Sequence, residues 1–216
     1  MSFKNLKIEN SSYTNKIDFD GMLKGSGTLK LIGENNKVTG GAGSSLNCNI
    51  RIQGNDNVVE FGRECNIRGQ ILVKGKGQKV IIGDFTTFKN VYLLCQEGSN
   101  IIIGKHCMFS RDIEVRTTDA HSVVDINTGY RLNTPSSITI GNHVWVGLRV
   151  LINKGTVIND DCIVGAGSFV NKIFTEKNIL IAGFPAKIIK RNITWNISRR
   201  EKYTQEELDF WKNDLL

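Results

Sequence analysis

Apolar side chains recur at every sixth position along most of this chain. The segments VTGGAGSSLNCNIRI (38–52), VEFGRECNIRGQILV (59–73), VIIGDFTTFKNVYLL (80–94) and IIIGKHCMFSRDIEV (101–115) begin 21 residues apart, and the same frame fits 17–31 and 138–152. Of the 21 recurring positions 19 are apolar, in a chain that is 40% apolar overall. They are Phe19, Gly25, Leu31, Gly40, Leu46, Ile52, Phe61, Ile67, Val73, Ile82, Phe88, Leu94, Ile103, Phe109, Val115, Ile140, Val146, Ile152, Ile158, Val164 and Val170.

A period of six fits neither a helix, with about 3.6 residues per turn, nor an alternating strand, with a period of about two. It predicts a triangular coil in which each face is a short strand pairing with the coils above and below. Corners of such a coil favour glycine at positive φ. We therefore expect corner glycines at Gly41, Gly62, Gly83, Gly104, Gly141, Gly147 and Gly165, and an all-β, parallel β-helical fold.

Small residues occupy the position two before many of the inward sites: Ser44, Cys65, Thr86, Cys107, Val144 and Cys162. These side chains should also face inward, where there is little room. Three of the five cysteines thereby gain a packing role, and no cysteine spacing matches a metal site or a disulfide framework. We expect reduced thiols and no bound metal.

Two segments depart from the repeat. Between Val115 and Ile140 the connection is long, so a loop should leave the prism over residues 116–137, and long loops usually carry function. After residue 192 the repeat ends. There Thr204 and Glu207 form a capping-box pattern that predicts a helix through Leu216, with Leu208, Trp211 and Leu215 on one face. We expect a β-helical domain over 1–192 and a helical extension over 193–216.

Charge and composition narrow the function only slightly. The formal net charge of +7 suits an anionic ligand, but no nucleic-acid-binding motif accompanies it. The amino terminus has no apolar leader pattern and no stretch is long and apolar enough to span a membrane, so we expect a cytoplasmic protein.

Three motifs carry a family resemblance. They are the run from Ile140 to Gly147 (IGNHVWVG), VGAGSFVNK (164–172) and AGFPAKII (182–189), which follow the extruded loop in order. Over roughly residues 17–192 the chain resembles the hexapeptide-repeat O- and N-acetyltransferases. The loop sequence TDAH together with Trp145 is similar to bacterial capsular-polysaccharide O-acetyltransferases, including those acting on polysialic acid.

The resemblance implies a left-handed winding, a homotrimer with active sites between neighbouring prisms, and acetyl-CoA as co-substrate. It places the catalytic base at His121 and a site-bordering side chain at Trp145, which would contact acceptor or cofactor. It also implies cofactor contacts from Gly147, Gly165, Ala166, Lys172 and Lys187, with Lys190 and Arg191 nearby. Histidine is suited to taking a proton from a hydroxyl near neutral pH. The acceptor would be a saccharide, and acidic polymers are compatible with the charge.

Each assignment has an alternative. His121 could instead make a turn hydrogen bond, Asp119 could orient the imidazole or form a turn, and His143 could replace His121 as base or contact substrate. We expect His106 to be solvated, and a backbone N–H at Gly147 to stabilise an oxyanion. The glycines assigned to cofactor binding could instead only form turns, and the lysines could be solvated charges that bind no cofactor. At the level of function, N-acetylation of an amino sugar and a non-catalytic scaffold or hydratase-like prism are the competing hypotheses.

Overall fold

The computed structural model describes residues 2–19, 21–22 and 24–215. Their 22 strands are β1 Ser2–Asn10, β2 Lys16–Asp18, β3 Lys24–Ile32, β4 Lys37–Gly40, β5 Ser45–Asn55, β6 Val58–Phe61, β7 Asn66–Lys76, β8 Lys79–Ile82, β9 Thr87–Phe88, β10 Val91–Gln96, β11 Ile101–Ile103, β12 Met108–Phe109, β13 Ile113–Arg116, β14 Ile138–Ile140, β15 Trp145–Val146, β16 Leu151–Asn153, β17 Val157–Ile158, β18 Ile163–Val164, β19 Phe169–Val170, β20 Ile173–Phe174, β21 Ile179–Gly183 and β22 Ala186–Arg191. An α-helix, α1, spans Gln205–Asp209, and a 3-10 helix spans Phe210–Leu215.

The strands form the three faces of a left-handed parallel β-helix of about eight turns, as predicted. Face A contains β9, β12, β15, β18 and β21, and face B contains β10, β13, β16 and β19. Face C contains β2, β4, β6, β8, β11, β14, β17 and β20. In the lower coils the long strands β3, β5 and β7 run through faces A and B without a break. We name the corners between faces the A/B, B/C and C/A edges.

The core confirms the six-residue frame at nearly every position. Twenty of the 21 predicted inward positions are buried, and Phe19 is partly buried against the core. The prediction that Leu94 faces the core is wrong. Leu94 is buried, but its neighbours Leu93 and Cys95 are the residues of this strand that lie in the core. Leu93 pairs with Ile71 and Val115. One residue more at the A/B edge of this coil shifts the strand by one position and turns Leu94 outward.

The corner glycines are present for a different reason than predicted. Positive φ falls two residues later in each coil, at residues such as Phe85 (60°), His106 (56°) and His143 (52°). The predicted glycines are required by close approach between coils instead. A Cβ on Gly83 would lie 2.7 Å from the carbonyl carbon of Gly104, and one on Gly104 would lie 2.6 Å from that of Gly141. Any side chain there would force the stacked coils apart.

Buried polar residues continue the stacking inside the prism. Asn36 Oδ1 accepts from the backbone N–H and Nδ2 of Asn57, at 3.1 and 3.0 Å, and Asn57 Oδ1 accepts from the N–H of Gln78 at 3.0 Å. Thr86 Oγ1 donates to the Gly104 carbonyl and accepts from the Cys107 N–H. All six small inward positions are buried, as predicted, and all five cysteines are free and buried.

The two irregular segments are anchored on different edges. The extruded loop leaves face B after β13 and returns to face C at β14, so it stands on the B/C edge. The carboxyl-terminal segment begins its helix with the predicted capping box between Thr204 and Glu207. The α-helix is shorter than predicted, because the chain tightens into the 3-10 helix at Phe210; Leu216 lies outside the described residues. In the described part of the chain no helix is long and apolar enough to cross a membrane.

Candidate active site

His121 stands in the extruded loop with an exposed side chain. The loop is held from below by its polar residues. Asn133 Nδ2 donates to the His121 carbonyl at 2.8 Å, and Asn133 Oδ1 accepts from the Val123 N–H at 2.7 Å. Thr118 and Arg131 both bond to the Glu97 carboxylate on the prism. The main chain around His121 is therefore fixed while its imidazole remains open to a ligand.

Asp119 does not orient the imidazole of His121. Its carboxylate accepts from Asn133 Nδ2 at 2.8 Å and from Lys154 Nζ, which follows β16 on the same edge. The hydrogen bond from Lys154, and then that from Asn133, hold the pKa of Asp119 below its ordinary value. Asp119 therefore ties the base of the loop to the prism as an anion.

Trp145 points outward from face A, as predicted from its place before the inward Val146. It pairs with Met108 in the coil below and with Ile163 in the coil above, and its side chain is 38% exposed. On one side it is flanked by Trp195, whose ring centre lies 6.1 Å away. Trp145 thus borders an apolar, partly open surface on face A.

The structure does not bring His121 and Trp145 together within one chain. His121 stands on the B/C edge, whereas Trp145 lies on face A, beyond the opposite C/A corner. The loop carries a further set of exposed apolar side chains: Val123, Val124, Ile126, Tyr130 and Leu132. A site that uses both His121 and Trp145 therefore requires two copies of the chain.

His143 is buried on the C/A edge and is not available as a base in this chain. Its ring lies between the rings of Trp195 and Trp211, with centre distances of 4.3 and 4.9 Å and near-parallel planes. Its Nδ1 lies 2.8 Å from Asp161 Oδ1. The carboxyl-terminal segment therefore packs along the side of the prism, and Trp211 is buried there as the helix pattern indicated.

Asp161 and Trp195 are the members of this cluster that sequence reasoning missed. Asp161 accepts from Thr194 Oγ1 and from Asn178 Nδ2, both at 2.6 Å, and Trp195 Nε1 donates to the His143 carbonyl at 2.9 Å. These contacts fix Trp195 beside Trp145. His106, in the coil below, is half-buried and stacked on Phe85 at 4.6 Å rather than solvated as expected.

The predicted cofactor residues lie mainly along the A/B edge. Gly147 and Gly165 stack in successive coils, and an added Cβ at either would collide with the next coil, so both are already required by packing. The expectation that the Gly147 N–H stabilises an oxyanion is wrong, because this N–H donates to the Val164 carbonyl at 2.8 Å. Ala166 is exposed, and among the described residues its N–H and C=O have no hydrogen-bond partner. That free peptide group fits an extended amide-containing ligand.

The predicted lysines are on two different edges. Lys187 pairs with Ala182, which contacts Gly165, so it continues the A/B edge toward the end of the prism. Lys172 lies on the B/C edge, where its carbonyl accepts from the Val157 N–H, near Lys154 and the loop. Both side chains are exposed, as is Lys190. Arg191 is engaged in a two-point ion pair with Glu176 and is less available to a phosphate.

Comparisons with known proteins decide the family. No family model matches the chain. A polysialic acid O-acetyltransferase of Escherichia coli O1:K1 is 39% identical over 89 residues, which cover 41% of this chain and 29% of that protein. One of Neisseria meningitidis is 35% identical over 91 residues, 42% of each. These matches therefore span less than half of either relative.

A solved structure, that of the polysialic acid O-acetyltransferase OatWY, matches nearly the whole length. It is 30% identical, covers 95% of this chain and 99% of that chain, and superposes with a TM-score of 0.88. The chain is a member of the hexapeptide-repeat acetyltransferase family. Among the described residues, no group of three or more His, Cys, Asp or Glu side chains is arranged to hold a metal ion.

Proposed function

We propose that this protein transfers the acetyl group of acetyl-CoA to a hydroxyl of an acidic capsular saccharide, with His121 as general base. The relatives named above are polysialic acid O-acetyltransferases, which supports an acceptor rich in sialic acid. We call the surfaces around His121 and around Trp145 the two half-sites. The observation that carries the proposal is that both half-sites are accessible to a ligand.

Acetyl transfer from a thioester to a hydroxyl needs few further groups from the protein. Acetyl-CoA supplies an activated thioester, and the products are an acetyl ester and the CoA thiol. His121 accepts the hydroxyl proton as the oxygen attacks and can return it to the departing sulfur, so no acyl-enzyme is needed. Trp145 and Trp195 supply flat apolar surface against which the saccharide or the acyl chain can pack.

The two half-sites support a closed homotrimer in which each active site lies between neighbours. The B/C edge of one copy carries His121 and Lys172, while the neighbouring copy presents Trp145 on face A and the free peptide of Ala166 on the A/B edge. The exposed apolar side chains of the loop would then be covered by the neighbour. In this arrangement Lys172 and Lys187 reach the same cofactor from two chains.

On this proposal the cofactor lies along the A/B edge. Ala166 would exchange hydrogen bonds with the amides of the pantetheine arm, and Lys187 and Lys172 would neutralise phosphate groups. The β-helix over 1–192 would hold the reaction, and the extension over 193–216 would position Trp195. Five free thiols are typical of a reducing compartment, which supports a cytoplasmic reaction.

Radiolabelled acetyl-CoA tests this function directly. The purified protein is incubated with polysialic acid, neutral polysaccharides and amino sugars, and the labelled products are treated with mild alkali. We expect label on polysialic acid that alkali releases as acetate, because esters hydrolyse under these conditions and amides do not. Alkali-stable label on an amino sugar would establish N-acetylation instead, and absence of both label and CoA binding would favour a non-catalytic scaffold.

A further inference from the structure

An apolar pocket lies on face A below Trp145, and we name it the face A pocket. Its volume is about 190 Å³. Among the described residues that line it there is no aspartate, glutamate, lysine or arginine. The lining is formed mainly by Phe85, Thr87, Met108, Trp195, Ile197 and Phe210.

The floor of the face A pocket is continuous with Trp145. Met108 pairs with Trp145 of the coil above, and Thr87 pairs with Met108 from the coil below. Each of these three residues directly precedes an inward side chain, so their side chains point outward in one column. Trp195 also lines the pocket, and its ring centre lies 6.1 Å from that of Trp145. The pocket therefore adjoins the half-site around Trp145.

The outer wall of the pocket is supplied by the carboxyl-terminal segment. Trp195 Nε1 donates to the His143 carbonyl at 2.9 Å, and the Trp195 ring stacks on the His143 ring at 4.3 Å. The Phe210 ring lies edge-on to the rings of His106 and His143, at 5.6 and 5.7 Å. These contacts lie within one chain, so the pocket is formed before a ligand binds.

The size and chemistry of the pocket favour a short hydrocarbon chain. An apolar cavity of about 150 Å³ binds benzene, so the face A pocket suits an acyl chain of about four to six carbons. A saccharide would have to give up water from its hydroxyl and carboxylate groups, for which the apolar lining offers too few polar partners. The methyl of an acetyl group would fill only a small part of the space.

The path of the cofactor leads toward this pocket. On the proposed function, acetyl-CoA runs along the A/B edge from Lys187 to Gly147. Gly147 is two residues from Trp145, so the thioester lies beside that indole. A longer acyl chain that continues in the same direction passes Trp145 and meets Met108 at the floor of the pocket.

We infer that the face A pocket binds the hydrocarbon chain of longer acyl donors, so that the protein also transfers acyl groups of about four to six carbons from acyl-CoA. This inference rests on the proposed function, since it uses the same cofactor path and the same base. The acceptor hydroxyl oxygen forms an ester bond with the acyl carbonyl carbon while the carbon–sulfur bond breaks. His121 passes the hydroxyl proton to the departing sulfur, and the products are an acyl ester and the CoA thiol.

The test compares acetyl-CoA with hexanoyl-CoA on the full chain. Binding of each donor is measured by calorimetry, and transfer to polysialic acid is followed by release of the CoA thiol. Wild type should bind hexanoyl-CoA at least about tenfold more tightly than acetyl-CoA, because four further methylene groups leave water. Its kcat with hexanoyl-CoA should stay within about tenfold of that with acetyl-CoA, since binding far from the reacting carbonyl is shared by ground and transition states.

Two variants locate the effect in the pocket. Thr87→Phe fills the pocket and should bring the ratio of hexanoyl-CoA to acetyl-CoA affinity close to one. Thr39→Phe places the same ring at a half-buried outward position of β4 on face C, and should keep the wild-type ratio. Ile197→Ala shortens an exposed wall residue of the pocket and should lower the ratio several-fold, whereas Ile173→Ala, at an exposed position on face C, should not.

Other results would overturn the inference. If wild type transferred acetyl but neither bound nor transferred hexanoyl, the pocket would be covered by something else, such as the loop of a neighbouring copy, and the proposed function would stand. An unchanged affinity ratio in both Thr87→Phe and Ile197→Ala would place the acyl chain elsewhere. Tight binding of hexanoyl-CoA that Thr87→Phe abolishes, without transfer of any acyl group, would support the pocket and refute the proposed reaction, so the two failures are distinguishable.

Discussion

His143 Nδ1 lies 2.8 Å from Asp161 Oδ1, in adjacent coils of the C/A edge, and the pair is covered by the carboxyl-terminal segment. His143 is fully buried between Trp195 and Trp211, so it joins the prism to that segment. Removing it would leave both indole rings without their shared stacking partner and Asp161 with one hydrogen bond fewer.

We therefore expect His143→Ala to lower the free energy of unfolding by about 2–4 kcal/mol and to loosen the carboxyl-terminal segment. Limited proteolysis should cut between 193 and 211 at least several times faster than in wild type. His121→Ala, in the exposed loop on the B/C edge, is the control and should leave this segment protected. Unchanged cleavage in His143→Ala would mean that other contacts hold the segment.

Trp195 is predicted to affect substrate binding because it forms one wall beside Trp145. Trp195→Ala should raise the KM for acceptor or for acetyl-CoA several-fold, because one wall beside Trp145 is lost. Trp195→Phe keeps an aromatic ring and should restore most of the affinity. Steady-state kinetics with each substrate varied separately will show which one uses this wall. If both variants retained wild-type kinetics, Trp195 would be a purely structural residue.

The proposed site between two copies of the chain makes a sharp prediction for mixed assemblies. His121→Ala and Trp145→Ala should each be nearly inactive alone, since each destroys one half of every site. When the two chains are coexpressed, about one quarter of the sites of a random trimer would combine an intact His121 with an intact Trp145 from its neighbour. Activity near that fraction is expected in the mixed preparation, whereas no recovery would place both residues in a site within one chain.

The six-residue period predicted the prism because burial of every sixth side chain leaves a clear signal in sequence. It failed at Leu94, where one added residue at an edge shifts the strand without changing the overall pattern. It also gave the wrong reason for glycines such as Gly104, since close approach between coils is a relation between segments that periodicity does not encode.

The site was less predictable than the fold. The loop and its histidine stood out as the interruption in a regular repeat, and Trp145 followed from its outward position. The stacking of His143 between Trp195 and Trp211 depends on how a segment outside the repeat returns to the prism, and nothing in the spacing of these residues indicates that path.

The buried asparagine column should contribute measurably to stability. Asn57→Ala removes bonds to Asn36, Gln78 and the Gly75 carbonyl and leaves buried polar groups unpaired. We expect a loss of about 2–4 kcal/mol in the free energy of unfolding, as measured by urea denaturation. Asn47→Ala, at an exposed position of β5, is the control and should change stability by less than about 0.5 kcal/mol. Equal effects would show that the column is not stabilising.

The buried thiols should make the protein sensitive to alkali. Burial raises the pKa of Cys48, Cys95 and Cys107 to about 12. The unfolded chain loses these protons near pH 9.0, its ordinary thiol value, while the folded chain keeps them, so stability falls as pH rises above that value. Each such thiol contributes about 1.4 kcal/mol per pH unit in this window.

Denaturant titrations from neutral to alkaline pH measure this slope. In the double variant Cys48→Ala with Cys107→Ala, the decline above pH 9 should be shallower by about 2.7 kcal/mol per pH unit, because two of the linked protons are gone. The variant is also expected to be less stable at neutral pH, so the slope is compared and not the absolute value. An unchanged slope would show that these thiols do not control alkaline unfolding.

The central claim is that His121 removes the acceptor proton during acetyl transfer. The most direct measurement is the rate at which wild type and His121→Ala form alkali-labile acetyl ester on polysialic acid, alongside the affinity of each for CoA. We predict a loss of about 10²–10⁴-fold in kcat for the variant with CoA affinity retained, as expected when a general base is removed. Full acetyl transfer by His121→Ala, with CoA bound as tightly as in wild type, would contradict the account.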